Sequence, residues 1–218
     1  VVDYEITVTY LGDDNFNNAG NSTKFTVPKR AATVEITDVT ENILVGENAT
    51  FTVNMDPDSA NGNVTIYING TESGTIVLDD EYANASVSIS DLGVGTYTIG
   101  VKYNGDNNYE DSDMREYTIV INKVDVSGDI HIEGSESAYG ENATVTFELP
   151  EDATGTVTVT VNGKDYTADV DGGVAVVEIP GLDADIYENV AAKYSGDDKY
   201  EAYEGNATIG VEPLFVER

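Results

Sequence analysis

The chain of 218 residues contains no cysteine and no tryptophan. No disulfide can tie its layers together, so contact between layers must come from Phe, Ile, Val and Tyr. Positive charge is scarce: ten Lys and Arg stand against 41 Asp and Glu, for a net charge of −31. That excludes nucleic acid as a partner, because phosphates need a basic surface, and it disfavours anionic membranes. The one histidine, His131, has no cysteine or second histidine to complete a metal site. Neither a Gly-x-Ser-x-Gly elbow nor a phosphate-binding glycine loop is present, so no enzyme signature emerges. A glycosidase needs two placed carboxylates, but among so many acids any pair is uninformative. No apolar run is long enough to span a bilayer as a helix, no leader-peptide pattern is seen, and no window sustains a helical period. The acids are spread along the chain, as on a solvated exterior, and do not form a disordered acidic tail.

What the chain does have is a phrase said three times: Tyr10-Leu-Gly12-Asp13-Asp-Asn-Phe16, Tyr103-Asn-Gly105-Asp106-Asn-Asn-Tyr109 and Tyr194-Ser-Gly196-Asp197-Asp-Lys-Tyr200. The spacings of 93 and 91 residues indicate tandem copies of one small domain. Gly46-Glu47-Asn48-Ala49-Thr50 recurs as Gly140-Glu141-Asn142-Ala143-Thr144, and Ile68-Asn69-Gly70 as Val161-Asn162-Gly163. Tyr4 precedes Tyr10 by the same six residues that separate Tyr97 from Tyr103. The expected organisation is therefore a partial repeat over 1–30 (the last two strands), complete repeats over 31–122 and 123–213, and a tail or the start of a further segment over 214–218.

Within a repeat the signals are strand and turn. Thr156–Val161 alternates strictly, as do Thr50–Val53 and Thr144–Phe147, the pattern of half-buried strands. Phe51 aligns with Val145 and Val53 with Phe147, so large and small core residues are exchanged while total volume is kept. The Asn-Gly pairs at 69–70 and 162–163 predict hairpin turns. Roughly seven short strands per copy, with a turn signal every 8–12 residues, predict an all-β, antiparallel, immunoglobulin-like sandwich without a disulfide. Tyr97, Ile99, Val101 and Tyr103 share one face of a strand, and Tyr4, Ile6, Val8 and Tyr10 share its counterpart. The third copy has one extra residue between Tyr187 and Tyr194, which predicts a bulge near Glu188-Asn189 with Val190, Ala192 and Tyr194 inward beyond it. Tyr4, Tyr97 and Tyr187 stand where such a sandwich places its tyrosine corner.

The run Leu92-Gly-Val-Gly95-Thr-Tyr97, followed by Tyr103-Asn-Gly105-Asp106-Asn-Asn-Tyr109, resembles the Ig-like repeats of large bacterial and archaeal cell-surface proteins. The acidic, Asn- and Thr-rich, cysteine-free wording is most similar to adhesin-like proteins of methanogenic archaea. The third copy departs from the pattern at Asp185, where the second has Gly95. The resemblance implies an extracellular, non-enzymatic structural stalk that projects a distal binding region from the cell surface. Its partners would be neighbouring repeats of the same chain or fibre, with no direct membrane contact in this segment. The alternatives are a module that binds a host or cell-surface glycan or protein, and a fibre subunit completed by strands of a neighbouring chain. No catalytic or cofactor-binding residues come with the family.

Candidate sites follow from the repeated phrase. Asp13, Asp106 and Asp197 read first as turn residues whose carboxylates accept backbone N–H groups while Gly12, Gly105 and Gly196 take positive φ. The lesser alternative is a structural Ca²⁺ ligand, since Asn107, Asn108, Glu110 and Asp111 crowd Asp106; no other cofactor is expected. The aromatic pairs Tyr103/Tyr109 and Tyr194/Tyr200 read as hairpin clamps before sugar-stacking pairs. Asn21, Asn48, Asn63, Asn69, Asn84, Asn142 and Asn206 head Asn-x-Ser/Thr sequons and are glycosylation candidates. Lys102 and Lys193 recur before the strand tyrosine, but parity puts Lys102 on the outer face, against a buried Lys–Asn crosslink. The junctions Val27-Pro28-Lys29-Arg30-Ala31 and Asn122-Lys123-Val124-Asp125 carry scarce positive charge. Lys29, Arg30 and Lys123 are expected to meet acidic loops near the Gly-Asp turns and limit bending.

Overall fold

A computed structural model describes residues 1–78 and 83–215. Residues 79–82, within the expected repeat 31–122, and 216–218, within the expected tail 214–218, lie outside the described residues. The structure is all-β and falls into two compact units: Val1–Ile43 with Glu47–Val120, and Leu44–Gly46 with Ile121–Arg218.

In the first unit β1 (Val2–Tyr10) and β2 (Ala19–Val27) pair antiparallel as a separate ribbon, with Tyr4 opposite Phe25 and Tyr10 opposite Ala19. The ribbon precedes a sandwich. One layer, in spatial order, is β3 (Thr33–Thr37), β5 (Ala49–Asp56) and β8 (Asn84–Ile89). The other runs β4 (Ile43–Leu44), β10 (Arg115–Asn122), β9 (Gly95–Tyr103), β6 (Asn63–Ile68) and β7 (Thr71–Val77). The inward residues of both layers, among them Phe51, Val53, Val64, Ile66, Ile99, Val101 and Tyr103, are buried. They are the apolar halves of the alternating runs, placed by the two-residue period of a strand.

The second unit repeats the plan. β11 (His131–Gly134), β13 (Ala143–Glu148) and β16 (Val174–Ile179) form the three-stranded layer. β12 (Glu136–Ala138), β18 (Tyr203–Glu212), β17 (Ile186–Tyr194), β14 (Thr156–Val161) and β15 (Lys164–Asp169) form the five-stranded one. Val145, Phe147, Val157, Val159, Val177 and Ile209 meet in the core between them.

Among the described residues each sandwich shows eight strand elements, which make the expected seven strands when the broken first strand is counted once; its halves join opposite layers. In the second unit the break falls at Gly134-Ser135. A Cβ on Gly134 would stand 2.1 Å from the Thr208 carbonyl oxygen, so only glycine lets the strand approach closely enough to cross. In the second unit β12 departs from the antiparallel expectation: it lies parallel to β18, with Glu136 opposite Gly210, because a first strand that has crossed layers meets the last strand in the same direction.

The expected turns are present. Asn69-Gly70 and Asn162-Gly163 both adopt positive φ at each residue, 50° and 76° in either hairpin, the signature of a type I′ turn matching the strand twist. The bulge falls where the extra residue of the third copy requires it: the β17–β18 register shifts between Tyr187 and Val190, Asn189 takes a φ of 56°, and Val190, Ala192 and Tyr194 are buried.

Candidate functional site

The thrice-repeated phrase forms a turn with an aspartate at its hub. In the first sandwich Asp106 Oδ1 accepts the N–H groups of Asn108 (2.6 Å) and Tyr109 (2.7 Å), and the Asp106 N–H donates to the Tyr109 carbonyl. Asp197 repeats the pattern with Lys199 (2.8 Å) and Tyr200 (2.7 Å), and Asp13 with Asn15 (2.8 Å) and Phe16 (2.9 Å). The preceding glycines, Gly12, Gly105 and Gly196, take φ between 70° and 83°, and a Cβ on any of them would stand within 3.0 Å of backbone. Both the conformation and the space demand glycine.

The second carboxylate oxygen reaches away from the turn. Asp106 Oδ2 accepts the Asn61 N–H at 3.0 Å, and Asp197 Oδ2 accepts the Thr154 N–H at 2.8 Å and its hydroxyl at 3.0 Å. Asn61 and Thr154 lie in the loops before β6 and β14. The buried tyrosines bind the same loops: Tyr103 donates to the Asn61 carbonyl (2.6 Å) and Tyr194 to the Thr154 carbonyl (2.7 Å). The later aromatics add a third tie. The Tyr109 hydroxyl meets Ser59 Oγ at 2.6 Å, and Tyr200 donates to Asp152 Oδ1 at 2.6 Å, beside a Lys199–Asp152 ion pair. All four rings are buried, so they clamp their own loops and offer no open face for stacking.

These contacts set the electrostatics. Burial alone would raise the Asp197 carboxyl, but the N–H groups of Thr154, Tyr200 and Lys199 and the Thr154 hydroxyl outweigh it and hold the group at about 2. Asp106 is lowered in the same way by Asn108, Asn61 and Tyr109 against the burial that opposes them. Burial first, and the neighbouring aspartate second, push the Tyr103 and Tyr194 phenols well above their ordinary value.

The junction ahead of each sandwich docks on this turn. The Arg30 N–H donates to the Asn108 carbonyl at 2.8 Å and the Glu110 N–H to the Arg30 carbonyl at 2.9 Å, forming a short parallel bridge between Arg30 and Tyr109. In the second unit Val124 makes the matching pair with Lys199 (2.8 Å) and Glu201 (2.9 Å). Lys29 Nζ donates to the Asp106 carbonyl and Lys123 Nζ to the Asp197 carbonyl. The Arg30 guanidinium lies 6.0 Å over the Tyr109 ring. The scarce cations thus meet the acidic loops at the Gly-Asp turns, where the lysines bind main-chain oxygens because N–H donors already fill the aspartate carboxylates.

Tyr97 donates to the Gly93 carbonyl (3.0 Å) and Tyr187 to the Asp183 carbonyl (3.1 Å), while Tyr4 stacks on Phe25 with centroids 5.4 Å apart. Lys102 pairs with Asp111 (2.7 Å) and Lys193 with Glu204 (2.8 Å), both on the outer face. Among the described residues no three His, Cys, Asp or Glu side chains gather in a way that could hold a metal ion. Asn21, Asn48, Asn69, Asn142 and Asn206 are exposed and Asn63 and Asn84 half-buried; the Asn69 side chain accepts the Thr98 N–H at 2.9 Å and Asn63 the Asn104 amide at 2.6 Å. Sequence reasoning missed the acceptor loops. Their signal was Gly62 and Gly155, which recur 93 residues apart. Both have positive φ, and their Cβ positions abut the carbonyls of Gly105 and Gly196.

Three strands facing five, with a tyrosine corner and a hairpin clamp, define each sandwich as immunoglobulin-like. The bacterial Ig-like domain (group 3) family matches residues 36–122, the first sandwich from within β3 to the end of β10. Solved structures similar to the chain include fibronectin(III)-like modules of CbhA from Clostridium thermocellum (14% identity, 85% of this chain and 97% of that one, TM-score 0.35). A putative membrane anchored protein from Corynebacterium diphtheriae is 12% identical over 98% of this chain and 71% of its own, with a TM-score of 0.36. The BSP domain of a biofilm associated protein is 19% identical over 84% of this chain and 30% of its own, with a TM-score of 0.26. Likenesses this distant say nothing of what the chain does. No curated protein matches it.

Proposed function

We propose that the chain is a spacer segment of an extracellular surface protein, a non-enzymatic stalk whose joints are stiffened by docking each linker onto the sandwich it enters. The observation that carries this reading is the duplicated linker dock: Arg30 on Tyr109 and Val124 on Tyr200, each with a lysine on the turn aspartate's carbonyl. Backbone pairing costs a linker its torsional freedom and leaves few soft residues to act as a hinge. The net charge of −31 keeps such a segment solvated and apart from its neighbours, and the exposed sequons would extend that coat if glycosylated. The resemblance to adhesin-like repeats supports placement at the cell surface, with a binding region elsewhere in the protein.

Distance measurements between spin labels on β7 and β15 test the stalk. A narrow distribution that survives 0.5 M salt, roughly three times physiological ionic strength, is expected. A broad distribution spanning tens of ångströms would show a flexible tether and end the spacer reading.

A further inference from the structure

The β1–β2 ribbon has an apolar face and a polar one. Opposed residues share a face, so Val2, Tyr4, Ile6, Val8 and Tyr10 of β1 join Phe25 and Val27 of β2, while Asp3, Glu5, Thr7 and Thr9 turn away. The apolar face is bare: Tyr4 and Ile6 are 49% exposed, Val8 67% and Phe25 45%. The matching residues of β9 are sealed, with Ile99 at 1% and Val101 and Tyr103 at 0%. Among the described residues the far edge of β1 is also unpaired, whereas that edge of β9 pairs with β6, Ile66 opposite Val101. A two-stranded ribbon with one bare apolar face is marginal in water, and a free edge invites another strand.

We propose that this ribbon is the acceptor for an Ig-like segment equivalent to residues 31–93. A strand like β6 would pair along the free edge of β1, and a layer like β3-β5-β8 would cover its apolar face. Both vacancies are specified by the chain's own repeats. The edge and the face of β9 are filled by β6 and by β3-β5-β8 in the first sandwich, and those of β17 by β14 and by β11-β13-β16 in the second. A third sign is the tyrosine hydroxyl. Tyr103 and Tyr194 reach the loop before β6 or β14, but Tyr10, which has no such loop, donates to Asp13 Oδ2 at 2.7 Å. The inference rests on the immunoglobulin-like fold and is independent of the spacer role, which can fail while this stands.

The test supplies such a segment. Placing residues 31–93 directly before Val1 of the full chain brings Tyr4 to the position of Tyr97. Amide exchange across β1 should then slow by about a thousandfold, as for core strands, while exchange in β9 and β17 stays unchanged. A second extension, residues 123–183 of the other repeat, guards against one insert failing to fold. If β1 exchanges as before in both extended chains, the proposal is wrong. It is equally overturned if the unextended chain is already a dimer that Ile6→Asp dissociates, since a second copy would then be the occupant.

Discussion

Tyr10 and Tyr103 occupy the same place in the same seven-residue phrase, yet their surroundings differ completely. Tyr103 is fully buried and fastened to the loop before β6, whereas Tyr10 is half exposed and folds back on its own turn. The turn itself hardly changes: Asp13 and Asp106 cap the same two N–H groups, and Gly12 and Gly105 hold similar positive φ. Local geometry is thus written in the phrase, while burial and the longer-range ties come from residues 40 or more positions away. The phrase sets a turn, and the rest of the repeat makes that turn a clamp.

The largest effect that could break this comparison is in the core. Ile99→Ala should cost about 2–5 kcal/mol in urea unfolding of the first sandwich, the usual range for a buried isoleucine. Ile6→Ala, at the matching exposed position, should cost under about 0.5 kcal/mol. Equal costs would mean that the ribbon is already covered.

Next come the turn aspartates. Asp197 sits at about 2 in the folded protein, below its ordinary unfolded value near 4. A carboxyl depressed on folding stabilises the fold above the unfolded value and loses that contribution as pH falls toward the folded one. The second sandwich should therefore lose up to about 2 kcal/mol between roughly pH 4 and pH 2 through this group, and Asp197→Asn should flatten that segment of the profile. The exposed Asp13, substituted in the same way, should leave thermal unfolding of both sandwiches unchanged. A smaller effect is expected at the tyrosine corners: Tyr97→Phe or Tyr187→Phe removes one hydroxyl donor from a backbone carbonyl and should cost about 1 kcal/mol by denaturant midpoint. Lys29→Ala and Lys123→Ala should cost less still, under about 1 kcal/mol each, while broadening the spin-label distances.

The legible parts of the fold were those written within a few residues. Period-two alternation located the core strands, Asn-Gly pairs located the hairpins, and one extra residue before Tyr194 located the bulge, because side-chain parity must be restored before the inward residues resume. The crossing of the first strand between layers was not legible, since Gly134 signals a close approach without naming Thr208 as its neighbour. Nor was the second bulge, between Ile66 and Tyr67 in the β6–β7 pair, which no change in repeat length betrays. At the junctions the sequence pointed to the cations and the turns but named no acceptor atom. Charge counting cannot choose one: the Asp106 and Asp197 side chains are spent on N–H groups and leave their carbonyls free for lysine.

Each linker, on this reading, is part of the sandwich it enters. Hydrogen exchange at the amides of Arg30, Glu110, Val124 and Glu201, which make the two docking bridges, tests it most directly. If the linkers are docked, all four exchange as slowly as the neighbouring amides of β10 and β18. Exchange at open-coil rates, with the strands still protected, would contradict the account and leave the sandwiches strung on free tethers.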